Sequence, residues 1–380
     1  MEEHAQANPS KLALKYGGKV GFNLSFITRQ LSLRQKAVTK IPGFLTPHTV
    51  LLPKLYEQCT AEVVARYKST LIQGQTLLDA TTGLGVDAYF IGRNFESVTC
   101  LEADEEHAEV LDNNFNALGF SAEILHTHAK DFLTETERTF DVIYIDPDRR
   151  PTAGERVSGL QQSEPDVVAL LPLLLQKCRE CWIKVSPMAD IQECITLLQN
   201  KVQQVYAIAA DGEMKELLFK ITADTTNEVK LTAVNIVRDV PSVYEGWFRY
   251  QDAVLSVQVL EYFFEPNAAL IKTRLAFAYA TEKGMQVLYP NGMFFTSTQN
   301  PGNEFGRAFH VVQAMPYKED ALRSFMKEQG ITKSNIACRN FFDAPEKVAR
   351  RFKLGDGGEW YLFCYCDAVK NPMAVWCRKI

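Results

Sequence analysis

The stretch LLDATTGLGVDAYF, which runs from Leu77 to Phe90, contains an informative pattern. A short apolar run precedes two glycines, and a segment with helical periodicity follows them. Glycine lets the backbone approach a ligand closely, and the amide groups that open a helix face such a ligand. The pattern predicts a strand–turn–helix unit that holds a small molecule. The residues after Phe90 bear on which molecule it is.

Apolar segments of strand length alternate with helical segments from Thr76 to Lys201. The run FDVIYIDP (140–147) is nearly all apolar, as is typical of a strand buried on both faces. This alternation indicates a doubly wound, mostly parallel sheet with ligands beyond the carboxyl ends of its strands. The predicted strands are 76–80, 97–102, 122–128, 140–147 and 181–187, with helices mainly at 105–119, 164–177 and 190–201.

The end of this domain carries a second informative pattern. Residues 202–210 and 216–222 are predicted to be two strands joined by a turn that contains Asp211 and Gly212. An antiparallel hairpin at the edge of a parallel sheet is unusual for a dehydrogenase. It therefore argues against a dinucleotide-binding domain.

The glycines alone leave two cofactors open, because GLGVDA (83–88) also fits the dinucleotide fingerprint G-x-G-x-x-[G/A]. Glu102 ends the second strand, where an acid would accept hydrogen bonds from the ribose of either cofactor. Asp131-Phe132 follows the third strand, where an acid and an aromatic ring would hold adenine. Asp146-Pro147 closes the fourth strand. This order of features favours S-adenosylmethionine.

The segments DATTGLGVDA, LEAD, KDF and DPDRR together resemble class I methyltransferases that use S-adenosylmethionine. More narrowly, the sequence is similar to a bacterial branch with an Asp-Pro-x-Arg-Arg signature and a THUMP-like C-terminal domain. CTAEVVARYK (59–68), DGEMKEL (211–217) and YFFEPNAALIK (262–272) also look like this branch. The resemblance covers roughly residues 50–380. It implies a mostly parallel α/β sheet with an antiparallel edge hairpin, an N-terminal helical segment and small α+β C-terminal modules.

The resemblance also implies how the cofactor would be held. Asp79 and the two glycines would frame its methionine end, Glu102 would hold the ribose, and Asp131 with Phe132 would hold the adenine. The predicted cofactor-binding residues are Asp79, Thr81, Gly83, Gly85, Asp87, Glu102, Ala103, Asp131 and Phe132.

The signature loop supplies the predicted catalytic residues. Many nitrogen-directed methyltransferases have Asp/Asn-Pro-Pro-aromatic here, and the acid orients an amino group towards the methyl group. In this chain Asp148 replaces the second proline and Arg149 replaces the aromatic that would stack on a flipped base. The arginines could instead grip a phosphate or carboxylate of the substrate. The predicted set is Asp146, Pro147, Asp148, Arg149 and Arg150.

Length and composition predict several domains in one cytoplasmic chain of 380 residues. The N-terminus has no apolar signal region, no run is long enough to cross a membrane, and the nine cysteines are scattered. The C-x-x-C at 178–181 lies at the amino end of its strand, so no metal site is predicted. The predicted domains are a helical segment (1–70), a Rossmann-like methyltransferase domain (71–240), a ferredoxin-like α+β module (241–300) and a THUMP-like domain (301–380).

Basic chain ends flank an acidic middle. Residues 1–58 carry 8 Lys and Arg against 3 Asp and Glu, and residues 301–380 carry 13 against 9, whereas residues 59–300 carry 20 against 34. Because THUMP domains serve in RNA-modifying enzymes, the resemblance implies structured RNA, tRNA or rRNA, as the substrate. RNA would be bound through the C-terminal domain and the N-terminal segment. The cations on one short helix, Lys347, Arg350, Arg351 and Lys353, suit phosphates.

Two other functions stay open. The chain could methylate a small molecule or a protein, or it could bind the cofactor without catalysis, because the position of the second proline is altered. A basic surface continuous with the loop 146–150 would favour RNA.

Overall fold

The computed structural model describes residues 6–17, 21, 23–149, 160, 163–226, 228–247, 254–256, 258–289 and 292–380. The chain divides into two compact units. One comprises Met1–Ala210 with Lys215–Val229, and the other comprises Asp211–Met214 with Lys230–Ile380. None of the helices within these described ranges is long and apolar enough to cross a membrane.

The first unit is built on a twisted sheet. Its strands are β1 (Thr76–Asp79), β2 (Ser97–Glu102), β3 (Glu123–His126), β4 (Phe140–Ile145), the short pair β5 (Asp148–Arg149) and β6 (Ser163–Glu164), β7 (Cys178–Val185), β8 (Val202–Ala210) and β9 (Glu213–Ile221). The strands of this unit lie within the sheet in the order β3-β2-β1-β4-β7-β9-β8, and β5 pairs with β6 outside it. β1, β2, β3, β4 and β7 pair in parallel, whereas β9 is antiparallel to β7.

This strand order confirms the predicted fold class. The antiparallel strand β9 lies between β7 and β8, so the chain turns back at the hairpin and inserts β9 beside β7. Asp211 and Gly212 make the connection with φ of 50° and 86°. Both values lie in the left-handed region, where Gly and Asp are tolerated.

The first unit contains nine α-helices within its described residues, of which the first four precede β1. They are α1 (Pro9–Tyr16), α2 (Leu24–Lys40), α3 (Pro53–Gln58), α4 (Glu62–Leu71), α5 (Val86–Gly92), α6 (Glu105–Leu118), α7 (Ala129–Glu135), α8 (Val167–Lys177) and α9 (Ile191–Leu197). Polar side chains set the ends of α6. Asp104 accepts a hydrogen bond from the amide of His107, and Gly119 ends the helix with φ of 63°.

Two buried amide side chains fix the extended segment that leads into α3. Gln30 on α2 exchanges both hydrogen bonds with the backbone of Leu51, and Asn114 on α6 does the same with Val50. Each side chain therefore acts as a strand partner for this segment. The segment is held in place between two helices, and α3 follows it directly.

The second unit is an α+β structure. Its elements are β10 (Lys230–Val237), β11 (Val240–Trp247), β12 (Tyr262–Pro266), α10 (Ala268–Thr273), α11 (Ala276–Glu282), β13 (Gln286–Val287), β14 (Phe295–Ser297), β15 (Gly306–Pro316), α12 (Glu319–Glu328), β16 (Asn335–Cys338), α13 (Pro345–Phe352), β17 (Trp360–Cys366) and β18 (Pro372–Lys379). β10 and β11 form an antiparallel hairpin. The order of the larger sheet is β13-β14-β12-β15-β18-β17-β16.

Successive residues of β17 belong to two different hydrophobic cores, because neighbouring side chains of a strand point to opposite faces of its sheet. Leu362 and Cys364 pack with residues of α12 and α13, whereas Phe363 and Tyr365 pack on the opposite face. Strands from 241–300 and from 301–380 thus share one sheet. The division into a ferredoxin-like and a THUMP-like domain at these bounds stays a prediction.

Candidate active site

A cavity of about 630 Å³ lies at the carboxyl ends of the parallel strands in the first unit. The turn after β1, the ends of β2 and β4, the segment after β3, and Lys184 near the end of β7 all line it. Lys54, Leu55 and Gln58 of α3 line another part of the wall. The cavity therefore lies where a doubly wound sheet binds its ligands.

Most of the predicted cofactor-binding residues meet in this cavity. Phe132 lies outside the lining, and its ring centroid is 6.4 Å from that of Phe140. A stacking role for Phe132 stays a prediction. The predicted residues that line the cavity are Asp79, Thr81, Gly83, Gly85, Asp87, Glu102, Ala103 and Asp131.

Two acids of the signature loop (146–150) line the same cavity. Asp146 and Asp148 line the wall, and the half-buried Pro147 joins them. Arg149 pairs through its backbone with Ser163 of β6. The side chain of Arg149 and the whole of Arg150 lie outside the described residues.

The two glycines of the turn have different physical roles. Gly85 has φ of 89°, and a Cβ there would lie 2.5 Å from Cδ1 of Leu111 and 2.7 Å from Phe115. Only glycine fits this position, because both the backbone and the close approach of α6 exclude a side chain. Gly83 has φ of 55° and donates its amide hydrogen to Oε2 of Glu102 over 3.0 Å.

Glu102 is fixed in the cavity wall by the backbone on both sides. While Oε2 accepts from Gly83, Oε1 accepts from the amide of Asp104 over 3.1 Å. Nδ1 of His107 lies 3.7 Å from Oε1. The carboxylate therefore has a defined orientation, which suits the recognition of two neighbouring hydroxyl groups.

Asp79 is a buried carboxyl group with an unusual charge environment. Its side chain is 1% exposed, and Oδ1 accepts a hydrogen bond from the amide of Thr81 over 3.1 Å. Burial raises its pKa to about 8, and the neighbouring carboxylates Asp87 and Asp146 add to this rise. No cation among the described residues forms an ion pair with it. A cationic ligand group would relieve this unfavourable burial.

Behind the cavity wall lies a fully buried lysine. Nζ of Lys68 lies 2.8 Å from Oδ1 of Asp87 and 2.9 Å from Oε1 of Glu216. It also donates to the Tyr144 hydroxyl over 2.8 Å, and that hydroxyl donates to Oδ2 of Asp87. Burial by itself would raise the pKa of Asp87, but Lys68 and Lys184 outweigh burial and hold that pKa below its ordinary value. Asp87 is therefore an anion.

A second lysine connects this network to the signature loop. Nζ of Lys184 forms an ion pair with Oδ2 of Asp146 and donates to the Thr60 hydroxyl over 3.3 Å. Thr60 in turn donates to Asp87 over 2.7 Å. Burial raises the pKa of Asp146 although Lys184 opposes this, and the carboxylates around Lys184 raise its pKa against the effect of burial. We refer to Thr60, Lys68, Asp87, Tyr144, Asp146, Lys184 and Glu216 as the buried ion cluster.

Five members of the buried ion cluster were not predicted as site residues. Lys184 gives the clearest signal in the sequence, because it interrupts the apolar run WIKV of a central strand. A charge at such a position is costly unless it is paired, so it points to a partner. The overlooked residues are Thr60, Lys68, Tyr144, Lys184 and Glu216.

The cavity wall carries an excess of acids. Three lysines line it, Lys54, Lys130 and Lys184, against eight carboxylic side chains. Such a wall favours a ligand with positive charge and disfavours a pyrophosphate. The acids are Asp79, Asp87, Glu102, Asp104, Asp131, Asp146, Asp148 and Glu164.

The strand order and the position of the cavity define a class I methyltransferase, and comparison with known proteins gives the same class. The sequence model of the family described as conserved hypothetical protein 95 matches residues 59–161, and that described as THUMP domain-like matches residues 306–379.

Relatives and a solved structure agree over nearly the whole chain. The Mycobacterium tuberculosis proteins MT3122 (strain CDC 1551 / Oshkosh) and Rv3037c (strain ATCC 25618 / H37Rv) are described as uncharacterized S-adenosylmethionine-dependent methyltransferases. Each is 22% identical over 346 residues, which is 88% of this chain and 91% of the relative. A Porphyromonas gingivalis W83 protein, solved as a candidate methyltransferase, is 26% identical with a TM-score of 0.85, over 100% of this chain and 96% of its own. The chain is an S-adenosylmethionine-dependent methyltransferase with the class I fold, and its residues 306–379 are similar to the THUMP-like model.

Proposed function

We propose that this methyltransferase acts on structured RNA, tRNA or rRNA, and that its methyl acceptor binds beside Asp146. The observation that carries the proposal is the acidic cavity with Asp146 at its wall, in a chain whose C-terminal residues match a THUMP-like family. A cytoplasmic location is part of the proposal, and it is supported by nine cysteines that are all free thiols.

The cavity residues suit the charges of S-adenosylmethionine. This cofactor supplies an electrophilic methyl group on a sulfonium, and its methionine end carries an ammonium. We assign the ammonium to Asp79, the ribose hydroxyls to Glu102 and the adenine amino group to Asp131. The support for Asp79 is its burial without a cationic partner among the described residues.

Asp146 has one carboxylate oxygen available for an acceptor. Oδ2 is paired with Lys184, and the backbone amide is held by the Thr81 hydroxyl over 2.7 Å. Oδ1 has no hydrogen-bond partner among the described residues. It would accept a hydrogen bond from an acceptor amino group and direct the lone pair of that group. Positioning of this kind supplies much of the rate of a displacement reaction.

The test is methyl transfer from tritiated donor to total RNA. We expect the wild type to label RNA, and Asp146→Ala to lose about a hundredfold or more in rate because the acceptor is no longer oriented. Asp112→Ala, at an exposed acid of α6 outside the cavity lining, is the matched control and should lose much less. Calorimetric titration with S-adenosylmethionine, in which Glu102→Ala should weaken binding, checks the cofactor separately.

The acidic wall also suits a cationic small molecule as acceptor. If wild-type protein binds S-adenosylmethionine but labels no RNA, while a fraction of small amines or of protein is labelled, this alternative replaces RNA. Binding without transfer to any fraction would identify a cofactor-binding protein without catalysis.

A further inference from the structure

The loop between β16 and α13 exposes an aromatic ring. Phe342 is 60% exposed, and its ring packs against Phe341 in a tilted arrangement, with 4.2 Å between centroids and 31° between planes. Tyr317 packs edge-on against both rings, at 4.9 Å from Phe341 and 5.9 Å from Phe342. Tyr317 also meets the buried ring of Phe352 at 5.8 Å. Phe342 is therefore held in place by a cluster of three further aromatic rings, those of Phe341, Tyr317 and Phe352.

The loop is tied down at both ends, so the exposure of Phe342 is part of the fold. Nη2 of Arg351 lies 2.7 Å from Oδ2 of Asp343, and its Nη1 donates to the Tyr317 hydroxyl over 3.4 Å. On the other side, Asn340 exchanges backbone and side-chain hydrogen bonds with Cys366 of β17. A surface held in this way pays little conformational entropy when it binds a ligand.

Cations lie on the adjacent helix. Lys347, Arg350 and Arg351 occupy positions i, i+3 and i+4 of α13, so they share its solvent face, opposite the buried Val348 and Phe352. Within the described part of the chain, Lys347 and Arg350 have no carboxylate partner. We call Tyr317, Phe341, Phe342, Lys347, Arg350 and Arg351 the aromatic–basic patch.

We propose that the aromatic–basic patch binds unpaired RNA, with a nucleobase stacked on Phe342 and neighbouring phosphates on Lys347 and Arg350. Aromatic side chains next to cations are how proteins hold single-stranded nucleic acid without reading its sequence. The inference rests on RNA as the substrate and adds a binding site outside the methyltransferase cavity. The patch recognises unpaired nucleotides of an RNA, and a duplex offers it only phosphates.

The main competing occupant is an apolar surface of a protein partner. Such a partner would bind the apolar surface of Phe342, and a leucine at position 342 would offer much of the same apolar surface. A stacked base needs a flat ring, so leucine would fail and tryptophan would serve. The comparison of these two substitutions separates the occupants.

The experiment measures fluorescence anisotropy of a labelled single-stranded RNA of about 12 nucleotides with the full-length protein. We expect Phe342→Leu to weaken binding about tenfold, Phe342→Trp to keep it, and the double variant Lys347→Ala/Arg350→Ala to weaken it and flatten its salt dependence. Val369→Ala, at a residue 75% exposed in the same unit, should bind like wild type. Duplex RNA of the same sequence should be insensitive to Phe342→Leu.

Equal affinity of Phe342→Leu and wild type would overturn the inference, and so would a wild type that binds no single-stranded RNA. An unchanged circular dichroism spectrum and unfolding transition in each variant show that the second unit, which carries the substitutions, is folded. Methyl transfer to RNA is measured separately. If the wild type labels RNA and Phe342→Leu binds single-stranded RNA as well as the wild type, only RNA binding by the aromatic–basic patch is refuted. Wild type that labels no RNA refutes the proposed substrate.

Discussion

The cavity of the first unit and the aromatic–basic patch of the second use charge in opposite ways. Acids outnumber lysines in the cavity wall, and charges behind that wall are buried and fixed by one another, as with Lys68 between Asp87 and Glu216. On the patch the cations are exposed, and two of them have no partner among the described residues. The interactions of a buried charge are strong, but the protein must supply an opposite charge to balance it. A single exposed charge interacts weakly, so several exposed charges are needed for a sizeable effect.

Stability should separate the two regions most clearly. Removing the buried ammonium in Lys68→Met deprives Asp87 and Glu216 of their ion-pair partner, and should lower the free energy of unfolding by about 3–5 kcal/mol. Arg350→Ala removes the same charge from the patch and should change it by less than about 0.5 kcal/mol. Urea denaturation followed by circular dichroism measures both.

The control for Lys68 neutralises its partners as well. The triple variant Lys68→Met/Asp87→Asn/Glu216→Gln should recover part of the loss, because no uncompensated charge remains buried. A single Lys68→Met variant as stable as wild type would show that the interior charges are not interdependent.

Catalysis should depend on the second buried lysine. In Lys184→Met, Asp146 loses its ion pair, and we expect kcat for methyl transfer to fall about ten- to a hundredfold, with a smaller effect on cofactor affinity. The ammonium favours the charged carboxylate, so its loss raises the pKa of Asp146 further. The acidic limb of the pH–rate profile should therefore move to higher pH.

Lys184→Arg keeps the positive charge and should restore part of the rate and the original position of the acidic limb. If the profile of Lys184→Met is unshifted, Asp146 is not the group that titrates.

Cofactor binding should depend on pH through Asp79. With a pKa of about 8, this group is mostly protonated in the free protein at neutral pH. Pairing with an ammonium requires the carboxylate, so affinity should rise up to about tenfold per unit between roughly pH 6 and pH 7.5 and binding should release a proton. Calorimetry in buffers of different ionisation enthalpy measures this release.

Asp79→Asn should abolish the pH dependence and weaken binding. It should also raise the thermal midpoint at neutral pH. The pKa of Asp79 is higher in the folded chain than in the unfolded chain, so its contribution to stability is full below about pH 4 and is lost as pH rises to about 8. If Asp79→Asn released as many protons on binding as the wild type, the ammonium of the cofactor would have to pair with another acid.

Salt should affect the two regions differently, and this is the smallest effect expected. Binding of S-adenosylmethionine through the buried Asp79 should change little between low and physiological salt, because buried pairs are poorly screened. RNA binding should weaken steeply, and Lys347→Ala/Arg350→Ala should reduce the slope of log K against log salt by about two. An unchanged slope would mean that these cations do not contact phosphates.

The sequence predicted the parts of the site that are local to a strand end. Glycines after β1, Glu102 after β2, Asp131 after β3 and Asp146 after β4 are each read from a short motif. Parallel strands bring their carboxyl ends to one edge, so a correct strand order places these residues together. Phe132 lies outside the cavity lining with its ring beside Phe140, and its role in holding adenine stays a prediction.

Local patterns in the sequence thus predict the mostly parallel sheet with its antiparallel hairpin, the position of the cavity and the class of cofactor. Which charges are paired is evident only from the folded chain. Lys68, Lys184 and Glu216 come from three distant segments, and no local pattern tells which carboxylate each lysine meets. The structure also decided that Phe342 is exposed, because the ring stack and the Arg351–Asp343 ion pair hold it there. Periodicity follows from the backbone geometry of each element, whereas the partner of a buried charge depends on how distant elements pack.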